Sequence, residues 1–257
     1  MKTTILTLFP EMFDGPFRES ILKHAQQKGL LEIEFVNIRD FGHGTHKVVD
    51  DTPYGGGVGM VMKVDVLDKA ISSAREEGLT KKEERIVLLD ARGETFNQTV
   101  AKEFSQLKHL ILICGHYEGV DERVRDLVDE TISIGDFILT GGEIPAMLIV
   151  DSVARLLPGV LKPDATTHES FSIQTKQGVT RDGETHGRGS LVGGHGAVKR
   201  QDPEKTLLEY PQYTTPREYN GKNVPDVLLS GNHKEIEKFR QESAKKITQK
   251  HRPDLLK

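Results

Sequence analysis

Three clusters in this 257-residue chain set glycine beside polar or aromatic side chains at spacings that chemistry can use. The first is Asp51-Thr52-Pro53-Tyr54-Gly55-Gly56-Gly57-Val58-Gly59-Met60. Its glycines permit positive φ or close backbone approach to a ligand, and they equally suit a surface loop. The second, Cys114-Gly115-His116-Tyr117-Glu118-Gly119-Val120-Asp121-Glu122-Arg123, directly follows the apolar run Leu110 to Cys114. The third, Ser133-Ile134-Gly135-Asp136-Phe137-Ile138-Leu139-Thr140-Gly141-Gly142-Glu143, joins a short apolar run to the apolar stretch Pro145 to Leu157. Ligands of open α/β sheets bind beyond the carboxyl ends of the strands, although a tight turn capped by polar groups also accounts for the second cluster. Two such strand ends converging on one pocket make a stronger case than either alone.

Other chemistries lose their support on inspection. No stretch completes G-x-G-x-x-G, and the only Gly-Lys pair, Gly221-Lys222, lacks the upstream glycine of a P-loop. His43 and His46 stand three apart, but a third ligand and a settled scaffold are missing and HExxH is absent, so no metal site is expected. His186 and His195 fall in a polar stretch and read as solvated. The single cysteine, Cys114, rules out an internal disulfide framework and reads as an inert core residue.

The elements that must hold these clusters follow from periodicity. Thr4 to Phe9 reads as a strand, Phe17, Ile21, Leu22 and Ala25 as a helix closed by Gly29, and Leu31, Ile33 and Phe35 as an alternating strand. Leu67, Ala70, Ile71 and Ala74 mark a second helix, Ile86 to Leu89 a strand, and Asn97 the cap of a helix carrying Val100, Ala101, Phe104 and Leu107. Strands apolar on both faces belong to a parallel sheet covered by helices, and the βαβα order makes the fold class α/β. From Ser172 to Lys205 there are seven glycines, no aromatic residue and almost no apolar periodicity, the composition of a flexible linker. Beyond it, Asn232 and Glu235 have capping-box spacing ahead of a helix whose thin apolar stripe is Ile236, Phe239 and Ile247. The expected division is residues 1–165 as the α/β domain, 166–206 as linker and 207–257 as a small α-helical C-terminal domain.

Hydrophobic residues make up 36% of the chain and charged residues 29%. No apolar run approaches the ~18 residues of a membrane span, and Met1 to Phe9 lacks a signal-peptide cleavage site. A cytoplasmic protein without a membrane partner is therefore expected. The net charge of −4 hides a split: Met1 to Phe171 carries −9, Ser172 to Lys257 carries +5. Such asymmetry fits a C-terminal part that meets a polyanion, and it fits a solvated helical face as well. On charge alone, a non-catalytic RNA-binding module stands beside an enzyme.

Seven ordered motifs narrow the choice: LTLFPEMF (Leu6 to Phe13), VDDTPYGGGVGM (Val49 to Met60), CGHYEGVDERV (Cys114 to Val124), SIGDFILTGGE (Ser133 to Glu143), ARLLPGVL (Ala154 to Leu161), YPQYTTP (Tyr210 to Pro216) and PDVLLSGNH (Pro225 to His233). Together they resemble the bacterial tRNA (guanine-N1)-methyltransferases of the SPOUT superfamily, over nearly the whole chain outside Ser172 to Lys205. The resemblance implies a parallel sheet tied into a deep trefoil knot, S-adenosylmethionine bound in the knot, and a homodimer with active sites at the subunit interface. It implies methylation of N1 of the guanine immediately 3′ of the anticodon, guanine 37 of tRNA, with magnesium in catalysis. Another SPOUT RNA methyltransferase would share the knot but lack the terminal motifs.

Carried onto this sequence, the resemblance implies a cofactor site of Leu89, Ala91, Gly115, Tyr117, Glu118, Gly119, Ser133, Ile134, Gly135, Asp136, Phe137, Ile138, Leu139, Gly141, Gly142 and Pro145. It implies substrate contacts from Asp50, Gly55, Gly57, Gly59 and Ser170, with Arg155 and Glu169 catalytic. Glu169 stands where many relatives carry the aspartate assigned as general base, with Asp164 the next carboxylate to consider. His116 and Thr52 stand where arginine is usual, and Val58 where proline is usual. At Gly141 and Gly142 a valine is expected to clash with the ligand and to spare the fold.

Overall fold

The computed structural model describes residues 1–163, 165–174 and 205–256. Asp164 and most of the expected linker thus lie outside the described residues. Two compact units form, one spanning Met1–Leu161 and the other taking the described residues from Lys162 on.

In chain order the first unit contains β1 (Lys2–Thr7), α1 (Ser20–Gln27), β2 (Glu32–Asn37), β3 (Asp50–Asp51), β4 (Val61–Met62), α2 (Val64–Ala74), β5 (Glu84–Thr95), α3 (Gln98–Phe104), β6 (His109–Cys114), β7 (Glu130–Ser133) and α4 (Glu143–Ala154). Five strands form one parallel sheet in the order β2-β1-β6-β5-β7. The expected α/β class is therefore what forms, and the strands show why. Alternate residues face opposite sides: Leu110, Leu112 and Cys114 of β6 join one core with residues of α1, α3 and α4, while Ile111 and Ile113 join a second core with residues of α2. Every residue of β6 is buried, and each large apolar side chain so removed from water contributes roughly 1.5–3 kcal/mol. Asn97 caps α3 as expected, accepting from the Thr99 and Val100 amides.

β5 departs from expectation. The apolar run ends at Leu89, yet the strand continues to Thr95, with its register on β7 slipping between Leu89 and Glu94. The slack is the bulge Asp90-Ala91-Arg92-Gly93. A Cβ on Gly93 would lie 2.6 Å from the backbone nitrogen of Ile132, so only glycine lets the two strands approach there.

In the second unit β8 (Ile173–Gln174) pairs antiparallel with β9 (Thr206–Leu207), so within the expected linker 166–206 residues 173, 174 and 206 are paired strand rather than free chain. A hairpin of β10 (Glu218–Tyr219) and β11 (Lys222–Asn223) turns through Asn220 and Gly221, both at positive φ. Next come α5 (Asp226–Leu229) and α6 (His233–His251), the latter capped by Asn232, whose side chain accepts from the Glu235 amide. The expected stripe of Ile236, Phe239 and Ile247 is only half-buried. Ala244 and Thr248 are the buried positions, and the Thr248 hydroxyl accepts from the Leu208 amide at 2.8 Å. No helix among the described residues is long and apolar enough to cross a membrane.

Candidate active site

A cleft of about 1240 Å³ opens at the carboxyl ends of β5, β6 and β7 in the first unit. Its walls are the β5 bulge, the turn from Gly115 to Arg123, and residues 132–145 leading into α4, with Asp51 to Gly55 and Val61 to Asp65 along one side. Backbone hydrogen bonds stitch these segments together. The Gly142 amide donates to the Gly115 carbonyl at 2.9 Å, and Gly141 bridges His116. The Glu118 amide donates to Met60, and the Met62 amide donates to Gly119, each at 3.0 Å. All three glycine clusters of the sequence therefore meet in one place.

Of the expected cofactor residues, Leu89, Ala91, Gly115, Tyr117, Glu118, Gly119, Ser133, Ile134, Gly135, Phe137, Ile138, Leu139, Gly141, Gly142 and Pro145 line this cleft. Asp136 is not on its lining; it lies exposed on the same turn. Among the expected substrate residues Gly55 lines the cleft, whereas Asp50, Gly57 and Gly59 do not. A Cβ on Gly59 would nevertheless meet the Glu118 side chain at 2.5 Å, which places that glycine against the cleft wall. Gly55, Gly56, Gly57 and Gly59 all have positive φ, so the loop uses the freedom its composition offers. Tyr117 has φ +60, a conformation bulky side chains rarely adopt.

The glycines of the third cluster do different work from that expected. A Cβ on Gly142 would lie 2.6 Å from Cys114 Cα and 3.0 Å from the Gly115 nitrogen, and one on Gly141 would meet Glu143 and His116. A larger residue at Gly142 thus clashes with the protein's own backbone before any ligand is present.

Charged side chains outside the three clusters, Lys63, Asp65, Asp90 and Arg92, join the lining beside Asp121, Glu122 and Arg123 of the second cluster. They surfaced only once the β5 bulge and the β3-β4 pair were folded against the β6 turn. Lys63 reaches Asp51 at 2.8 Å, Arg92 holds Asp90 at 3.0 Å and Glu122 at 3.1 Å, and Arg123 holds Asp121 at 2.7 Å. The Lys63 ammonium, helped by the Thr52 amide, holds the Asp51 carboxyl below the usual range, as Arg123 does for Asp121. Six carboxylates against three cations leave the lining acidic, which suits a cationic ligand. Burial pushes the Cys114 thiol up, in keeping with an inert core position. His43 bonds Asp65 through Nε2 at 2.6 Å.

Arg155 ends α4, its amide donating to Asp151 at 3.3 Å. Glu169 and Ser170 belong to the second unit. The Glu169 carbonyl accepts from Ser172, and the Ser170 hydroxyl accepts from the Glu209 amide at 2.9 Å.

The family model described as tRNA (Guanine-1)-methyltransferase TrmD matches residues 1–257. The chain belongs to this family. Among its TrmD-family relatives, a tRNA (guanine-N(1)-)-methyltransferase of Dictyoglomus turgidum is 49% identical over 257 residues, covering 100% of this chain and 90% of the relative. One from Carboxydothermus hydrogenoformans is 50% identical, covering 100% of this chain and 88% of the relative, and one from Geotalea uraniireducens is 50% identical at 100% and 90% coverage. TrmD-family membership embraces both units, since the match runs through the cleft and on to the end of α6.

Proposed function

We infer that this chain is an enzyme that transfers a methyl group to N1 of guanine in tRNA, at the guanine immediately 3′ of the anticodon (guanine 37), with S-adenosylmethionine as donor. The observation that carries the reading is the family match over the full chain, together with the glycine-walled cleft at the strand ends. The cleft fits the donor: it has the volume for a nucleoside, exposes backbone at its turns, and has a lining of net negative charge, which suits a sulfonium. When bound, S-adenosylmethionine supplies an electrophilic methyl group.

The rest falls to the chain's own residues. N1 of guanine carries a proton at neutral pH, and its lone pair becomes available only when that proton leaves. Glu169, as general base, accepts the N1 proton through a carboxylate oxygen, a role contributing roughly 10²- to 10⁴-fold. Negative charge then gathers on O6, and Arg155 stabilises it, an effect on the order of 3 kcal/mol per donor. Asp50, Gly55, Gly57, Gly59 and Ser170 position the target nucleotide. Among the described residues no group of three or more His, Cys, Asp or Glu side chains could hold a metal, so no step is derived through magnesium.

The same reading includes the trefoil knot, which rests on the family match, and a homodimer. α4 supports the dimer: it buries Ala146, Ile149, Val150 and Val153 inward yet leaves Ile144 51% and Leu148 42% exposed one turn apart. Residues 207–257 then grip tRNA, a cytoplasmic substrate. Incubating the protein with methyl-labelled S-adenosylmethionine and tRNA transcripts bearing guanine or adenine after the anticodon tests the reading. Label should enter the guanine transcript alone; no incorporation, or equal incorporation, overturns it.

A further inference from the structure

One buried group in the cleft wall lacks a partner that its position all but provides. His116 Nδ1 is buried without a hydrogen bond, and buried polar atoms are seldom left so. The imidazole is wedged between Phe9, ring centroids 5.0 Å apart, and the edge of Tyr117 at 4.9 Å, so its rotamer is fixed by packing. Its Nδ1 points at Glu143, whose Oε2 lies 4.0 Å away, about 1 Å too far for a hydrogen bond.

Glu143 is itself 2% exposed at the first turn of α4, and its other oxygen accepts from the Thr7 hydroxyl of β1 at 2.8 Å. Its second oxygen, Oε2, is the one that faces the His116 ring. The gap between the two groups is kept clear by Gly141, where an added Cβ would lie 2.6 Å from His116 Nδ1 and against Glu143 Oε2. The glycine, the histidine and the glutamate thus form one device at the turn that leads from the cleft into α4.

We propose that His116 is a positioning residue of the cleft, its Nδ1–H closing on Glu143 to fix the Gly141-Gly142 turn against bound S-adenosylmethionine. The proposal rests on the reading that this cleft holds that donor. A shift of about 1 Å in the turn on ligand binding completes the bond, and a hydrogen bond to a buried carboxylate then weights the closed form. The imidazole tautomer must carry its hydrogen on Nδ1 for the bond to form.

The test compares full-length wild type with His116→Phe, which keeps a ring between Phe9 and Tyr117, and His116→Asn, which restores an N–H near the Nδ1 position. Calorimetry with S-adenosylmethionine should show Kd raised roughly tenfold in His116→Phe, the weight of one hydrogen bond to a charged group, and largely recovered in His116→Asn. The loss should fall more heavily on the KM for S-adenosylmethionine than on kcat. In wild type labelled with ¹⁵N-histidine, the Nδ1–H resonance should move downfield when the donor is added. Equal Kd in wild type and His116→Phe overturns the latch while leaving the cofactor reading intact. So does a Kd in His116→Asn as poor as in His116→Phe, with the melting temperature of both lowered equally without ligand, since packing alone is then at stake. Failure of wild type to bind the donor overturns the cofactor reading and the latch with it.

Discussion

A Cβ at Gly142 has nowhere to go, because the atoms it meets are the Cα of Cys114 and the backbone of Gly115 in the centre of the sheet edge. Gly142→Val should therefore destabilise the protein before any ligand is added, by about 1–3 kcal/mol as overpacked sites do, read as a melting temperature lowered by several degrees in apoprotein. An unchanged melting point with lost donor binding would restore the view that the ligand dictates this glycine. Glu169 calls for a kinetic comparison. Glu169→Gln should slow single-turnover methylation at least a hundredfold with tRNA affinity nearly unchanged, while Glu169→Asp retains much of the rate; wild-type rates in the Gln variant would place the base elsewhere. At this scale the sequence was informative where chemistry depends on residue type and neighbours. The glycines, Tyr117 and Glu118 announced themselves by clustering. Asp90, Arg92 and Lys63 did not, since each is an ordinary charged residue until distant segments bring it to the cleft.

Elements were legible to the extent that they are locally determined. Asn97 and Asn232 could be read as caps because a side chain reaches only two or three residues along its own chain. The β5 bulge could not be read so, because it exists to match β7, some forty residues further on, and its charged residues resemble the end of a strand. Those charges also make it a pH-sensitive joint. Burial works to raise the Asp90 carboxyl, but hydrogen bonds from Arg92 and the charges of Arg92 and Arg125 outweigh it and hold the group below its ordinary value. Arg125 ties the bulge onward, donating to Asp90 at 3.0 Å and to the Thr131 hydroxyl of β7 at 3.0 Å. A carboxyl depressed in the folded state stabilises it above the unfolded pKa, and that contribution disappears as pH falls through the folded value. Denaturant titrations from pH 6 down to pH 3 should accordingly show a shallower loss of stability in Asp90→Asn than in wild type, with the variant less stable at pH 6. Parallel curves would mean that the Asp90 carboxyl carries no linkage.

For the molecule as a whole, the division of charge and the exposed face of α4 direct the expectations. Lys234, Lys238 and Lys245 are exposed on one side of α6, spaced four and seven residues apart, in the basic part of the chain. Lysines that meet phosphates release counterions, so changing all three to Gln should flatten the dependence of log K for tRNA on log salt by about two to three units. Donor binding, proposed for the cleft of the acidic unit, should be unaffected; an unchanged salt slope would remove α6 from the RNA surface. The dimer admits a sharper test. Ile144 and Leu148 stand outward beside exposed Asp151 on a helix whose opposite face is buried, and Ile144→Asp with Leu148→Asp should yield monomers in sedimentation. Should each site of the proposed two-fold dimer take Arg155 from one subunit and Glu169 from the other, symmetry makes the two catalytic losses separable. Arg155→Ala and Glu169→Gln homodimers should both be nearly inactive. Co-folded in equal amounts, half the dimers carry one copy of each, and in these one site holds both substitutions while the other holds neither, restoring about a quarter of wild-type activity. Were both residues drawn from the same subunit, every site in the mixture would carry one substitution and activity would stay at the level of the parents, which is the result that would dissolve the shared site.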